Sequence, residues 1–185
     1  MSVSRRRFVA GLFVVTAGLS SLLLFTVQPI VTRILLPPLG GSPAVWNTAM
    51  VFFQGVLLVG YLAAHGMRRR VAWGARPWIQ IAIVASGLMV LPLTYPSGWV
   101  PPVGHQPVWI LGVLALMVGL PFLGLAMLSP TLQAWFSETD HPDRADPYFL
   151  YAAGNAGSVV GLLAYPLLLE PTIGLTAQAR WWMLG

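Results

Sequence analysis

Long stretches of uncharged, apolar residues constrain the fold of this chain more than any other feature of its sequence. The first stretch covers residues 8–27, twenty positions without a charge, and comparable stretches recur along the chain. A helix needs about 20 such residues to cross the hydrocarbon layer of a membrane. Apolar residues make up 57% of the chain and charged residues 8%, whereas a soluble domain carries about a quarter charged residues. The sequence therefore predicts an integral membrane protein.

Prolines, glycines and charges divide the chain into predicted spans, with loops at 37–43, 96–107 and 137–147. We expect an all-α membrane fold, a polytopic bundle of five transmembrane helices plus the start of a sixth, in a single domain over residues 1–185. The unfinished last helix predicts the N-terminal part of a longer protein. The predicted spans are 8–28 or 8–36, 44–64, 77–95, 108–128 or 108–136, and 148–169, with the sixth helix starting at 177–185.

The ten arginines predict the orientation of the bundle, since positive residues concentrate on the cytoplasmic side. With the N-terminus in the cytoplasm, only Arg33 and Arg180 lie outside. The basic stretch before the first apolar run also resembles an export signal, but the length of that run favours a retained helix. The arginines form short clusters beside apolar runs, which favours a membrane over nucleic acid. The inside set is Arg5, Arg6, Arg7, Arg68, Arg69, Arg70, Arg76 and Arg144.

Polar side chains are expensive in hydrocarbon, so those within the predicted spans are candidate functional residues. Most are amides, which commonly form hydrogen bonds between helices, and this structural role is favoured for Gln54, Gln80 and Gln133. Asn47 is interpreted as a cap or as a partner for backbone freed by the prolines. For Arg33 and Glu170, near the outer face, boundary anchoring or a mutual ion pair is favoured over transport. The candidate lining residues are Gln28, Arg33, Asn47, Gln54, Asn155 and Glu170.

Small residues recur every four positions in the last complete span, at Ala153, Gly157 and Gly161. This spacing places them on one helix face and predicts the close approach of another helix. Asn155 lies beside this face, and a packing role is favoured for it over contact with a substrate.

No catalytic, cofactor-binding or metal-binding residue is predicted in this chain. Cysteine is absent, and no phosphate-binding glycine loop or nucleophile elbow occurs. The acidic segment 138–147 contains three Asp and one His, but its spacing matches no metal motif, so a solvated loop with Asp146 capping the next helix is favoured. His65, His105 and His141 fall in three different connections, which makes a shared site improbable.

Two blocks of the sequence carry a family resemblance. The first block comprises residues 28–31, 36–47, 52–54 and 60–65, and the second comprises 129–137, 141–142, 146–158, 165–166 and 170–171. These blocks resemble the membrane half of bacterial spermidine synthase-like proteins, in which a major facilitator-like membrane region is fused to a synthase-like domain. The resemblance covers nearly the whole chain. At residues 60–70 the chain lacks the Asp that is usual after the second helix of major facilitator transporters.

The resemblance implies a multi-pass module of the bacterial inner membrane that anchors or supplies a cytoplasmic synthase-like domain acting on polyamines. Aminopropyltransferase activity would belong to that further domain and to no residue of this chain. Two alternatives stay open. One is a transporter-like half that moves a small, possibly cationic, solute; the other is a structural subunit of a larger membrane complex. The expected partners are the lipid bilayer and such a domain or complex, and no nucleic acid.

Overall fold

The computed structural model describes residues 3–96, 98–100, 102 and 104–184. Within these ranges the chain forms helices joined by short connections, without β-strands, which confirms the all-α class. The main helices are α1 (Val3–Leu39), α2 (Pro43–Arg70), α3 (Arg76–Gly87), α4 (Gln106–Ser137), α5 (Tyr148–Thr172) and α6 (Leu175–Leu184).

Four of the helices in the described ranges, α1, α2, α4 and α5, are long and apolar enough to cross a membrane. Their exposed surfaces carry large apolar side chains, such as Leu58 on α2 and Leu116 on α4, exposed by 61% and 59%. Such surfaces are stable against lipid rather than water. The chain is therefore described below as a membrane protein.

The predicted loop at residues 37–43 is too long, because α1 continues through Pro37 and Pro38 to Leu39. Each proline lacks an N–H, so the carbonyl oxygens of Arg33 and Ile34, four residues earlier, lose their usual helical donors. The end of the helix is closed instead by the Gly41 N–H, which donates to the Leu36 carbonyl oxygen at 3.1 Å. The turn between α1 and α2 comprises only residues 40–42. Gly40 and Gly41 have φ of 78° and 65°, a conformation that glycine adopts without steric cost.

Helix α2 continues past the predicted end of the second span at Ala64 and ends at Arg70. Positive side chains in a last turn interact favourably with the helix C-terminus. Arg76 adds a cap, since its guanidinium donates to the carbonyl oxygens of Val71 and Arg68, each at 3.0 Å. Polar sequence at this position therefore ends the membrane span without ending the helix.

The third predicted span, 77–95, is helical only in its first part. Helix α3 covers Arg76–Gly87 and is followed by one 3₁₀ turn, Leu88–Val90. The helix ends before Pro92 because the residue preceding a proline is disfavoured in the α conformation. Leu91 accordingly has extended backbone angles.

Prolines inside α4 and α5 widen the helices instead of ending them. A π-helical segment, Ala115–Gly119, precedes Pro121, and another, Tyr165–Leu169, contains Pro166. The missing proline N–H leaves a gap in the ladder, which the wider turn accommodates. The fourth span therefore takes its longer predicted form past Pro130, and α5 continues beyond the predicted end at Leu169 to Thr172.

Helix α1 packs against α2, α4, α5 and α6, and α4 is the most buried of the four long helices. The buried core joins α1 to α2 and α4, where the rings of Phe53 and Phe122 lie 4.9 Å apart. The short α6 lies against α1, and the indole N–H of Trp182 donates to the Leu23 carbonyl oxygen at 2.8 Å. The open space left by this packing lies between α1, α2 and α5.

Candidate functional site

A cavity of about 660 Å³ opens between α1, α2 and α5, and we call it the Arg33 cavity. Four of the six predicted lining residues meet there, although they come from three helices. Its volume is in the range of small-molecule sites, about 300–1,000 Å³. Its lining consists of Phe25, Gln28, Pro29, Arg33, Leu36, Trp46, Met50, Gln54, Leu162, Tyr165, Pro166 and Glu170.

The two charged residues of the cavity form an ion pair. A guanidinium nitrogen of Arg33 on α1 contacts a carboxylate oxygen of Glu170 on α5, one of the two roles that the sequence suggested for these residues. Their side chains are 38% and 43% exposed, so both charged groups reach the open part of the cavity. A pair with this exposure contributes at most about 1 kcal/mol to stability, and either group can change partner at low cost.

Tyr165, which the sequence did not single out, also lines the cavity, and the residue is only 4% exposed. Its hydroxyl is buried beside the Arg33 guanidinium, which can donate to it. The hydroxyl's own O–H has no acceptor among the described residues. Tyr165 lies four residues after Gly161 and so continues the α5 face that packs on α1. That spacing was the available signal for it.

Two amides complete the polar part of the cavity. The Gln28 side chain donates to the Leu24 carbonyl oxygen at 3.3 Å, within its own helix. Gln54 is exposed on α2, and its amide has no hydrogen-bond partner among the described residues. The predicted helix-to-helix hydrogen bond of Gln54 is therefore not formed, and its donor and acceptor remain available to a solute.

The other two predicted lining residues lie elsewhere. Asn155 borders a separate cavity of about 210 Å³, together with Ser21, Ser129 and Ser158. Asn47 is exposed in the second turn of α2 and is not a cap, since Ser42 occupies the N-cap position. Ser42 makes no side-chain capping bond, so α2 begins with Pro43, which lacks the N–H that a cap would satisfy.

The small-residue face of α5 packs on α1. A Cβ atom added at Gly161 would lie 2.8 Å from the Leu22 carbonyl oxygen, and one added at Gly157 would overlap the Gly18 carbonyl group. Ala153 is half-buried, and its carbonyl oxygen lies 3.5 Å from the position of a Cβ at Gly18. This close approach fixes the distance between α1 and α5, and so the separation of Arg33 and Glu170.

The end of the bundle far from the Arg33 cavity is held by charges. The Arg76 guanidinium contacts the Glu138 carboxylate at 3.0 and 3.2 Å, and Arg68 lies 3.8 Å from it. In the following loop Asp146 accepts a hydrogen bond from the Tyr148 backbone N–H at 3.3 Å, although Pro147, and not Asp146, stands at the N-cap position of α5. The described part of the chain contains no cluster of three or more His, Cys, Asp or Glu residues that could hold a metal ion.

The two remaining predicted amides serve packing. The Gln80 side chain on α3 is buried and donates to the Gly124 carbonyl oxygen on α4 at 3.0 Å, a hydrogen bond between helices. Gln133 donates to the Ser129 hydroxyl at 3.4 Å, within one helix. A third amide, Gln178 on α6, donates to the carbonyl oxygens of Leu169 and Ile173 and so satisfies the C-terminal end of α5.

Comparison with known proteins finds no protein-family model, no curated protein and no solved structure that matches this chain significantly.

Proposed function

We propose that this chain is a transporter-like membrane module that binds a small polar solute in the Arg33 cavity. One observation carries the proposal: a cation, an anion, two amides and a buried phenol meet in an open cavity within an otherwise apolar bundle. Polar groups in a membrane interior are costly, so their convergence at one place favours a ligand. Nothing in the cavity lining is a nucleophile with an adjacent base, so the groups suit binding rather than covalent chemistry.

We also propose that the chain crosses the membrane five times, with α3 and residues 88–95 forming the third crossing. Arg76 at the start of α3 contacts Glu138 at the end of α4. At the other end of this segment, the Tyr95 ring lies 6.2 Å from that of Trp109, in the first turn of α4. The segment therefore runs alongside the full length of α4 in the opposite direction.

The proposed orientation places the N-terminus and the Arg68–Arg70 turn in the cytoplasm of a bacterial cell, because eight of ten arginines then lie inside. The Arg33 cavity opens towards the opposite side in this arrangement. Reporter fusions test this membrane orientation. A reporter that is active only in the cytoplasm should be active after Arg70 and inactive after Gly98. The reverse activities would overturn the orientation, and equal activities would overturn the third crossing.

Solute binding is tested by thermal unfolding of the purified chain in nanodiscs against a library of amino acids, amines, carboxylic acids and sugars. At least one solute should raise the midpoint of the wild-type chain. The shift should disappear in the neutral, similarly sized variant Arg33→Gln/Glu170→Gln and persist in the control Asn47→Ala, which lies outside the cavity. The proposal fails if no solute raises the midpoint or if the cavity variant responds as the wild type does.

The sequence resemblance favours a second role, in which the same module anchors or supplies a cytoplasmic synthase-like domain. Its support is the pair of sequence blocks around residues 28–65 and 129–171. Sequencing the gene beyond codon 185 tests it, since a synthase-like coding region should follow or lie nearby. A stop codon there with no such gene in the vicinity would remove the support.

The role of an assembly subunit is less favoured. Its basis was the small-residue face of α5, but Gly157 and Gly161 lie against α1 of the same chain. This face is consequently not open to another protein.

A further inference from the structure

From the charges of the Arg33 cavity, and resting on the solute-binding function proposed above, we infer that its solute is a small zwitterion. The ammonium group of the solute would pair with Glu170 and its carboxylate with Arg33. The existing ion pair would thereby open and be replaced by two new pairs.

Charge balance is the first argument. Arg33 and Glu170 are each other's only ion-pair partners in the described residues, and together they are neutral. A solute with only a positive charge would take Glu170 and leave Arg33 without a counter-ion, and a purely anionic solute would do the opposite. Among charged solutes, a zwitterion is the class that leaves neither residue without a counter-ion.

The availability of the two groups is the second argument. Both side chains are more than one-third exposed, so each can rotate towards a solute without being pulled out of the packed core. The planar guanidinium can donate two parallel hydrogen bonds to a carboxylate, a stronger arrangement than a single contact. Exchanging one contact with Glu170 for such a pair favours binding.

Tyr165 is the third argument. Its hydroxyl is buried beside Arg33, whose guanidinium can only donate to it, and its own O–H has no acceptor among the described residues. Leaving a buried donor without an acceptor costs about 1–3 kcal/mol. A carboxylate paired with Arg33 in the cavity would bring an acceptor to this O–H.

The remaining walls fit the carbon skeleton of the solute. Phe25, Pro29, Trp46 and Met50 line the cavity with apolar surface, which favours an uncharged, apolar side chain on the solute over a second charged group. The class that satisfies all these groups is an amino acid, or a similarly sized amino carboxylate, with an apolar side chain.

The test uses matched probes that differ only in charge. Titration calorimetry of the full chain in nanodiscs compares phenylalanine, leucine and methionine with their amides, which are cations, and their N-acetyl forms, which are anions. For at least one skeleton, the zwitterion should bind about tenfold more tightly than either relative, as expected for the loss of one charge-assisted contact. Equal or tighter binding of the amide or the N-acetyl form for every skeleton that binds would overturn the inference.

Variants assign each charge to its partner. Arg33→Gln should bind the zwitterion no more tightly than the amide, while Glu170→Gln should bind it no more tightly than the N-acetyl form. Arg180→Gln, an arginine outside the cavity, should keep the preference of the wild type. A wild-type preference retained in both cavity variants would also overturn the inference.

The same experiment separates the two proposals. Tight binding of a cation or an anion that is lost in Arg33→Gln/Glu170→Gln would contradict the zwitterion but leave the solute-binding function intact. Absence of binding for every charge form, together with a library that gives no thermal shift, would contradict both.

Discussion

The close contact between α1 and α5 yields a quantitative prediction for Gly161→Ala. The added Cβ would lie 2.8 Å from the Leu22 carbonyl oxygen, 3.3 Å from its Cα and 3.4 Å from its carbonyl carbon. Ordinary contact begins at 3.4 Å, so the shortfall at the oxygen is about 0.6 Å. All three atoms are backbone, so no side-chain rotation relieves the overlap and the helices must separate. Overpacking of this kind costs about 1–3 kcal/mol.

Gly157→Ala should cost more, because its Cβ would overlap the Gly18 carbonyl group outright. The control is Gly55→Ala on α2, where a Cβ meets no atom within 4 Å. Gly55→Ala should leave the stability unchanged or increase it by up to about 1 kcal/mol, since alanine favours the helix.

The assay is reversible unfolding in mixed micelles with an increasing fraction of sodium dodecyl sulfate, followed by helix circular dichroism. The expected order of stability is Gly55→Ala, then Gly161→Ala, then Gly157→Ala. Equal stability of all three variants would refute the close packing of α1 on α5 and the register described here.

Three further substitutions test single contacts in the same assay. Arg76→Gln removes the bonds to Glu138 and to the end of α2, so it should lower the free energy of unfolding by about 1–2 kcal/mol. Arg69→Gln should leave the free energy of unfolding nearly unchanged, and equal losses in the two variants would contradict the capping role of Arg76. Gln178→Leu removes the hydrogen bonds to the carbonyl oxygens at the end of α5 and should lower the free energy of unfolding by about 1 kcal/mol. An unchanged free energy of unfolding would contradict the role of Gln178 at this helix end. Tyr165→Phe removes both the contact with Arg33 and an O–H that lacks an acceptor, so the stability of the solute-free chain should change by less than about 1 kcal/mol while solute binding weakens. A larger loss of stability would show that the O–H already has an acceptor.

The helical class could be predicted from the sequence because the long apolar runs have the length of a membrane crossing. Helix ends were predicted less well. Pro37 and Pro38 look like a loop in a sequence, yet the backbone stays helical to Leu39 although each proline removes one hydrogen bond from the last turns. Arg68–Arg70 look like an end, yet Arg76 supports a longer helix from outside it.

The candidate site was predictable residue by residue but not as an arrangement. The cost of polar groups in hydrocarbon singled out Gln28, Arg33, Gln54 and Glu170. Their meeting in one cavity depends on how α1, α2 and α5 are rotated, which is set by long-range packing such as the Gly157 contact. The same cost singled out Asn47, but the rotation of α2 turns this residue away from the cavity.

Cysteine accessibility tests the central claim most directly, because the chain has no natural cysteine to interfere. The account predicts that Gln54→Cys in the cavity reacts with a membrane-impermeant thiol reagent added outside intact cells. Val51→Cys, one turn away on α2 and 66% exposed but not in the cavity lining, should face lipid and stay unmodified. Modification of Val51→Cys with Gln54→Cys unreactive from outside would contradict a water-accessible cavity between α1, α2 and α5.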